Sequence, residues 1–525
     1  MFRKIEIEDK KFINRYKHPE YISSELNFAN LYSWKDYDKL EIYNDDKVTI
    51  VKGDNFFFPP ICEPLYFTYG LDIINKYCND NNLIFNILGI TEEIKPLFPS
   101  GYEFYYHPEI NEYIYNASDL VTYSGKKLHA KRNLVNQFNK SYSYQFLSYD
   151  ESYRNDIVLL IEEWIIKKTT TAEIKSIFNV LDNLDFLECF CDCLFVDNRL
   201  VGFSVGTIYG DCGIVLFEKA DDNYIGIYAK LVNEFAIKHF SNIKYINRQE
   251  DMGLENLRKS KMSYNPCFFT HKYQCTLPVE TQLINIYNLS FDDSKEYIDY
   301  FFRYKNKKTK LLIENNVIIS MLFYRDEIIQ IKNQEYKACF IFAVATHPQF
   351  RKLGKMDKLI KDTLAELENE YDFAYLSSAV GNYYERFGFV SFGLNQEYII
   401  KNNQETNDLN TILGIYNEYS KNFDLFTKRD LSKYKEIYEE LIVCNGKIFL
   451  LTEKDLVTGY YIYDGKEIIE YCNLNNLTFT DKTDSMIKIL NKNILCDTDF
   501  SNNNEVLLKT KEFFSNFKAI SFEKY

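Results

Sequence analysis

Residues 340–356 are where the sequence is best suited to holding an anion. Phe340-Ile-Phe-Ala-Val-Ala-Thr346 has strand character, His347-Pro348-Gln349-Phe350-Arg351-Lys352-Leu353-Gly354-Lys355-Met356 follows, and Leu359 and Ile360 fall at helical spacing. A turn from a strand into a helix N-terminus presents successive backbone N–H groups, and the helix dipole adds partial positive charge. A pyrophosphate is a natural guest there. Arg351, Lys352 and Lys355 add full charges. An ordinary strand-to-helix connection with basic surface residues is the competing reading. A second basic concentration lies upstream: residues 120–149 contain Lys126, Lys127, Lys131, Arg132 and Lys140 and no acid. Ser124 is a candidate N-cap, after which Lys127 and Lys131 share a helix face while Leu128, Leu134, Val135 and Phe138 turn inward. That stretch is either a solvated basic face or an anion site for a phosphate or acyl-carrier group.

These residues sit in a chain of 525 residues with 46% apolar and 26% charged residues, ordinary globular values that exclude a disordered or collagen-like protein. The net charge of −14 repels nucleic acid and acidic membranes on average, so any such partner has to find a local basic patch. No stretch of 18 uncharged apolar residues occurs, and Met1-Phe2-Arg3-Lys4-Ile5-Glu6 lacks the apolar core of a secretory signal. The expectation is a cytoplasmic protein with no membrane insertion. The 12 cysteines lack paired C-x-x-C spacing, and no metal site is assigned. Cys189, Cys191 and Cys193 alternate on one strand face, read as small apolar side chains in a core, with a thiolate metal site as the alternative.

Apolar runs of strand length alternate with amphipathic helical runs throughout, which predicts an α/β (α+β) architecture of mixed sheets flanked by helices. In the first half, 47–51, 83–88 and 195–209 read as strands and 124–139, 152–167 and 223–239 as helices, with a joint near 140–148. The pattern renews near Leu277-Pro278. Beyond it, 317–323, 328–331, 338–346 and 373–379 read as strands, 355–370 as a helix and 381–387 as a short helix, before a final strand pair to Ile400. The tail adds helices at 408–420 and 431–443 and strands at 447–452 and 457–463. The expected domains are 1–280, 281–403 and 404–525.

Val344, Pro348, Arg351, Gly354, Tyr384, Gly388 and Phe389, in order and spacing, resemble the GNAT superfamily of N-acetyltransferases. Met356 stands where most members carry Gly or Ala; a bulky residue there, with Val344-Ala-Thr-His-Pro348, resembles the enhanced intracellular survival branch, in which a degenerate GNAT-like unit follows the first. The resemblance implies acetyl-CoA as co-substrate, held by backbone N–H groups at Val344 and Thr346 and by the turn Arg351, Lys352, Leu353, Gly354, Lys355 and Met356. It implies Tyr384 as the acid for the leaving thiolate and Asn382 as a partner of the pantetheine arm, or else a helix cap. Tyr384 is otherwise an aromatic plug, and His347, beside the turn, is expected to be a surface residue, with a base as the alternative.

Asp119-Leu-Val-Thr-Tyr-Ser-Gly-Lys-Lys-Leu-His-Ala-Lys-Arg-Asn133, Phe217-Glu-Lys-Ala220, Ile246-Asn-Arg-Gln-Glu-Asp-Met-Gly253 and Leu257 to Pro266 resemble the phosphatidylglycerol lysyltransferase C-terminal domain in its soluble form. That domain is itself two GNAT-like units, so the resemblance implies tandem acyltransferase folds along the chain. Gln249 replaces the family's usual Glu. The resemblance points to an anion or substrate site at Lys126, Lys127, Lys131, Arg132, Arg248, Glu250, Asp251, Arg258 and Lys261, with a structural ion-pair network as the alternative for the last five. Three functions follow: an acetyl-CoA-dependent N-acetyltransferase acting on a small-molecule or peptide amine, an aminoacyl-tRNA-dependent aminoacyltransferase with tRNA at the basic patch, and a non-catalytic ligand-binding or scaffold protein.

Overall fold

The computed structural model describes residues 1–16, 22–168, 172–378, 380–391, 403–475 and 485–489. The chain divides into two compact units, 1–278 and 279–525. Among the described residues no helix is long and apolar enough to cross a membrane.

The first unit is a mixed α/β structure whose sheets exchange strands. Its seven-stranded sheet runs Phe268–Thr270, Glu112–Asn116, Tyr245–Asn247, Cys212–Ala220, Arg199–Tyr209, Cys189–Val196, Tyr144–Ser148. Glu112–Asn116 precedes every other strand of that sheet in the chain yet lies inside it, antiparallel to both neighbours. In return, Lys272–Thr276 lies between Asn86–Thr91 and Glu103–Tyr106. Lys272 is fully buried at this crossing and is held by Glu25 at 2.5 Å and Glu112 at 3.1 Å. Taking a lysine out of water is costly unless paired, so the triad fixes which strand enters which sheet. Tyr144–Ser148, within the stretch read as a joint, is the edge strand of the seven-stranded sheet. Helix His129–Ser141 starts five residues later than expected because Gly125, at φ +79°, turns the chain first; Lys126 and Lys127 therefore lie in the turn and not on the helix face.

In the second unit the sheet order is Lys308–Glu314, Val317–Ile331, Gln334–Thr346, Phe373–Ser377, Ser485–Ile489, Val390–Ser391. Period-two alternation sends Leu322, Tyr324, Cys339, Ile341, Ala374 and Leu376 to one face, covered by helix Lys355–Leu367. Met321, Phe323 and Phe342 go to the other, covered by helices Val279–Asn288 and Lys295–Arg303. Ser485–Ile489 lies between Phe373–Ser377 and Val390–Ser391, antiparallel to both, so the expected boundary at 403/404 does not bound this sheet. The C-terminal segment joins it again through Leu425–Thr427, paired with Ile329–Ile331. Residues 403–475 otherwise form an antiparallel sheet of Asn403–Thr406, Lys447–Glu453, Leu456–Tyr463 and Ile468–Asn473 beside helices Leu409–Ser420 and Leu431–Val443. Of the final strand pair expected to Ile400, residues 392–400 lie outside the described residues.

Candidate functional site

Strands Gln334–Thr346 and Phe373–Ser377 run parallel, and their ladder ends where Ile341 faces Leu376. One residue later the first strand bulges. Phe342 pairs with Phe323 but Ala345 already pairs with Met321, and the extra residue is absorbed with Ala343 at φ +47°. The two strands part, and a cleft of about 780 Å³ opens between them, lined by strand residues 341–346, the turn after them, and Leu376, Ser377, Tyr383, Tyr384 and Arg386.

Alternation along the antiparallel ladder aims backbone groups into this gap. The His347 N–H donates to the Ile319 carbonyl, so Thr346, one residue back, turns its own N–H and C=O to the opposite edge, toward the cleft. Its carbonyl is taken by Arg351 Nε at 3.0 Å. Arg351 Nη2 also donates to the Leu289 carbonyl and Ser290 Oγ, each at 3.1 Å. This arginine thus ties the turn to its own strand and to the end of the preceding helix. Pro348–Phe350 makes a single 3-10 turn, after which Lys352 at φ +65° and Gly354 at φ +72° both take the left-handed conformation to enter helix Lys355–Leu367.

Of the residues expected to hold acetyl-CoA, Val344, Thr346, Arg351, Lys352, Gly354, Lys355 and Met356 line the cleft. Lys352 is exposed and has no ion pair among the described residues, whereas Lys355 is held by both Glu314 oxygens at 2.7 Å. Leu353 and Asn382 are exposed and stand outside the lining. Met356 packs with Val344 and Tyr383 onto the core under the helix.

Tyr384 lies on the short 3-10 helix Gly381–Phe387, which stops where Gly388 adopts φ +88°. Its ring is 8% exposed and edges Phe389 at 6.0 Å between centroids. Among the described residues its hydroxyl has no hydrogen-bond partner. Burial, with a smaller contribution from Tyr383, pushes this phenol up to about 12, so it keeps its proton throughout the neutral range. His347 is buried at 3% exposure, contrary to the surface position expected of it, because its Nδ1 accepts from the Gln349 N–H and the ring closes the turn. Burial and then Arg351 push its imidazole down to about 4.

Asp357, Tyr383 and Arg386 form a polar cluster on the cleft wall to which the sequence reading gives no role. Asp357, in the first helical turn, accepts from the Tyr383 hydroxyl at 2.7 Å and from Arg386, whose guanidinium stacks 3.9 Å over the Tyr383 ring. Arg386 offsets a carboxylate at the end of the helix where an anion would sit. The signal was present in an acid placed directly behind three cations, but the partner lies 29 residues away.

In the first unit, Arg248 follows strand Tyr245–Asn247 at the point where its parallel ladder with Cys212–Ile214 ends. Arg248 is held by Glu218 through Nη2 at 2.6 Å and Nε at 3.0 Å. Asp251 pairs with Arg258 at 2.8 Å and accepts from Tyr113 at 2.6 Å; burial pushes its carboxyl up, and these partners prevail and hold it at about 2. Lys261 donates to the Glu250 carbonyl at 2.6 Å and to the Arg248 carbonyl. Arg132 donates to the Tyr123 carbonyl at 2.7 Å. Lys126 and Lys127 are exposed. Lys131 and Arg248 both approach the Tyr264 ring, at 3.6 and 4.5 Å from its centroid. Cys189, Cys191 and Cys193 share strand Cys189–Val196, where burial raises the Cys191 thiol well above its ordinary value.

Residues 20–276 match the family model for the C-terminal part of phosphatidylglycerol lysyltransferase, and residues 279–391 match the acetyltransferase (GNAT) domain. The two matched stretches follow one another along the chain without overlap. Among solved structures, a conserved protein of unknown function from Bacteroides thetaiotaomicron is 27% identical, covering 53% of this chain and 99% of that one at a TM-score of 0.49. L-PGS from Bacillus licheniformis is 15% identical over 49% of this chain and 93% of its own, at 0.39. A GCN5-related N-acetyltransferase from Anabaena variabilis is 14% identical over 41% and 70%, at 0.30. An uncharacterized protein of Mycoplasmoides gallisepticum is 26% identical over 173 residues, 32% of this chain; the chain spans 56% of that relative's length. The two domain matches support acyl or aminoacyl transfer as the general activity of the GNAT and lysyltransferase-type regions.

Proposed function

We propose that the cleft of the second unit is the active site of an N-acetyltransferase that moves the acetyl group of acetyl-CoA to a primary amine of a small molecule or peptide in the cytoplasm. The observation that carries this reading is the parting of two parallel strands beside a helix N-terminus, with an unpartnered tyrosine hydroxyl on the wall. The pyrophosphate of the substrate takes the backbone N–H groups of the turn at Lys352 to Met356, aided by Lys352. The pantetheine arm adds along the open edge at Val344 and Thr346 as an extra strand would. A thioester oxygen meeting those N–H groups is polarised, most strongly as negative charge develops on it. The amine nitrogen bonds to the thioester carbon, the C–S bond breaks, and the sulfur takes the Tyr384 proton. The proton lost by the amine passes to water, which returns one to the phenolate. The products are an amide and the CoA thiol.

Calorimetric titration of the full chain with acetyl-CoA, followed by thiol release with a panel of primary amines, tests this. Saturable binding with amine-dependent thiol release is expected. Absence of both overturns the reading.

The match of residues 20–276 favours a second activity in the first unit, aminoacyl transfer from a charged tRNA. Filter binding of tRNA that weakens with salt supports it. If neither acetyl-CoA nor tRNA binds, the non-catalytic scaffold reading stands.

A further inference from the structure

We propose that the first unit contains an oxyanion site between Arg248 and Lys131, built to take one phosphate or carboxylate group. It rests on the first unit alone and does not depend on the acetyltransferase reading.

The Arg248 side chain is only 9% exposed, and its Nε and Nη2 edge is spent on Glu218. The remaining nitrogen, Nη1, is wholly buried and has no hydrogen-bond partner among the described residues. A guanidinium cannot shed its charge, so those N–H groups stay unmet donors in a low-dielectric setting until an acceptor arrives. Lys131 supplies the second half. Its Nζ lies 3.6 Å from the centroid of the Tyr264 ring, and the Arg248 guanidinium carbon lies 4.5 Å from the same centroid, so the two cations are within about 8 Å of each other. Lys131 has no carboxylate partner among the described residues. Burial, and next to it the charge of Arg248, push its amine down to about 8.

The neighbouring cations are already engaged. Arg258 is paired with Asp251, Lys261 with two backbone carbonyls and Arg132 with another. Glu218 is engaged by Arg248. Because the two-nitrogen edge of the guanidinium is occupied, a ligand meets Arg248 through Nη1 alone and must reach Lys131 with a second oxygen. That asks for two or more oxygens on one centre, as in phosphate or carboxylate. The way in is from Lys131, a half-buried, four-carbon side chain on helix His129–Ser141 that is free to swing off the Tyr264 ring.

The test reads the site directly. The full chain is treated at pH 8 with a lysine-acylating reagent, and modification of Lys131, Lys126 and Lys127 is followed by peptide mass spectrometry against rising inorganic phosphate or acetate, at constant ionic strength. Saturable protection of Lys131, with Lys126 and Lys127 unprotected, is expected; whichever anion protects at the lower concentration names the ligand source. Arg248→Lys should raise the half-protecting concentration roughly tenfold. Should that variant fail to fold, Glu218→Gln, which removes the competing carboxylate, should lower it. Equal protection of all three lysines, or a half-protecting concentration that the folded variant leaves unchanged, overturns the proposal.

Discussion

Tyr384 and His347 are both buried beside the cleft, and their altered acidities pull in opposite directions. A phenol raised to about 12 is protonated throughout the neutral range, so the acid role proposed for Tyr384 produces no falling limb in kcat below about pH 10. Tyr384→Phe keeps the ring and its packing on Phe389 and removes only the proton. It should lower kcat by roughly 10²–10⁴-fold and leave the KM for acetyl-CoA nearly unchanged in steady-state assays. A lowered Tm with unchanged kcat would make the residue an aromatic plug. His347 is instead held neutral, its value near 4 lying below the ordinary 6.5. Unfolding releases the imidazole to take up a proton as the pH falls through that interval. Stability present above pH 6.5 is therefore lost progressively down to about pH 4, by up to about 3 kcal/mol. His347→Asn keeps an acceptor for the Gln349 N–H without titrating, and its denaturation midpoints should be flatter across that window than those of the wild type.

The turn and the helix it opens were readable in the residues because their signals are local: an apolar strand, three cations, a glycine and then helical spacing. The locking of Arg351 onto Leu289 and Ser290 was not readable, since it depends on a helix end 61 or 62 residues upstream. Arg351 is consequently a poor probe of ligand binding, because its loss also frees the turn. Gly354 is the cleaner one. A Cβ there meets no atom within 4 Å, so the cost of a side chain comes from φ +72° and not from crowding. Gly354→Ala should cost about 1 kcal/mol in unfolding and weaken acetyl-CoA binding as the N–H groups rotate away. Gly354→Asn, which tolerates that conformation, should recover most of both in parallel denaturation and calorimetry. His347 was misread for the converse reason: a histidine flanked by a turn looks exposed until the Gln349 N–H is seen to need its nitrogen.

At the scale of the molecule, each seven-stranded sheet places a strand remote in sequence between its last parallel strand and its edge: Glu112–Asn116 in the first unit and Ser485–Ile489 in the second. Nothing in local composition marks either segment, since the only cue is a partner more than 100 residues away. A division of the second unit at residue 403 follows naturally from reading motifs along the chain, and Ser485–Ile489, beyond it, pairs within this sheet. The consequence is testable by truncation. A chain ending at Asn475 keeps all of residues 279–391, the whole GNAT match, yet it leaves Phe373–Ser377 without its antiparallel partner on the side away from Gln334–Thr346. That strand forms one wall of the cleft. Unpaired backbone groups on an otherwise buried strand are expensive, so the second unit should lose cooperativity or unfold at lower temperature. Among the described residues the first unit draws no strand from beyond Thr276, and it should melt as before. Differential scanning calorimetry of the truncated and full chains should show one transition unchanged and one lowered or lost, with acetyl-CoA binding falling alongside the second. Two unchanged transitions would mean that Ser485–Ile489 only decorates the sheet.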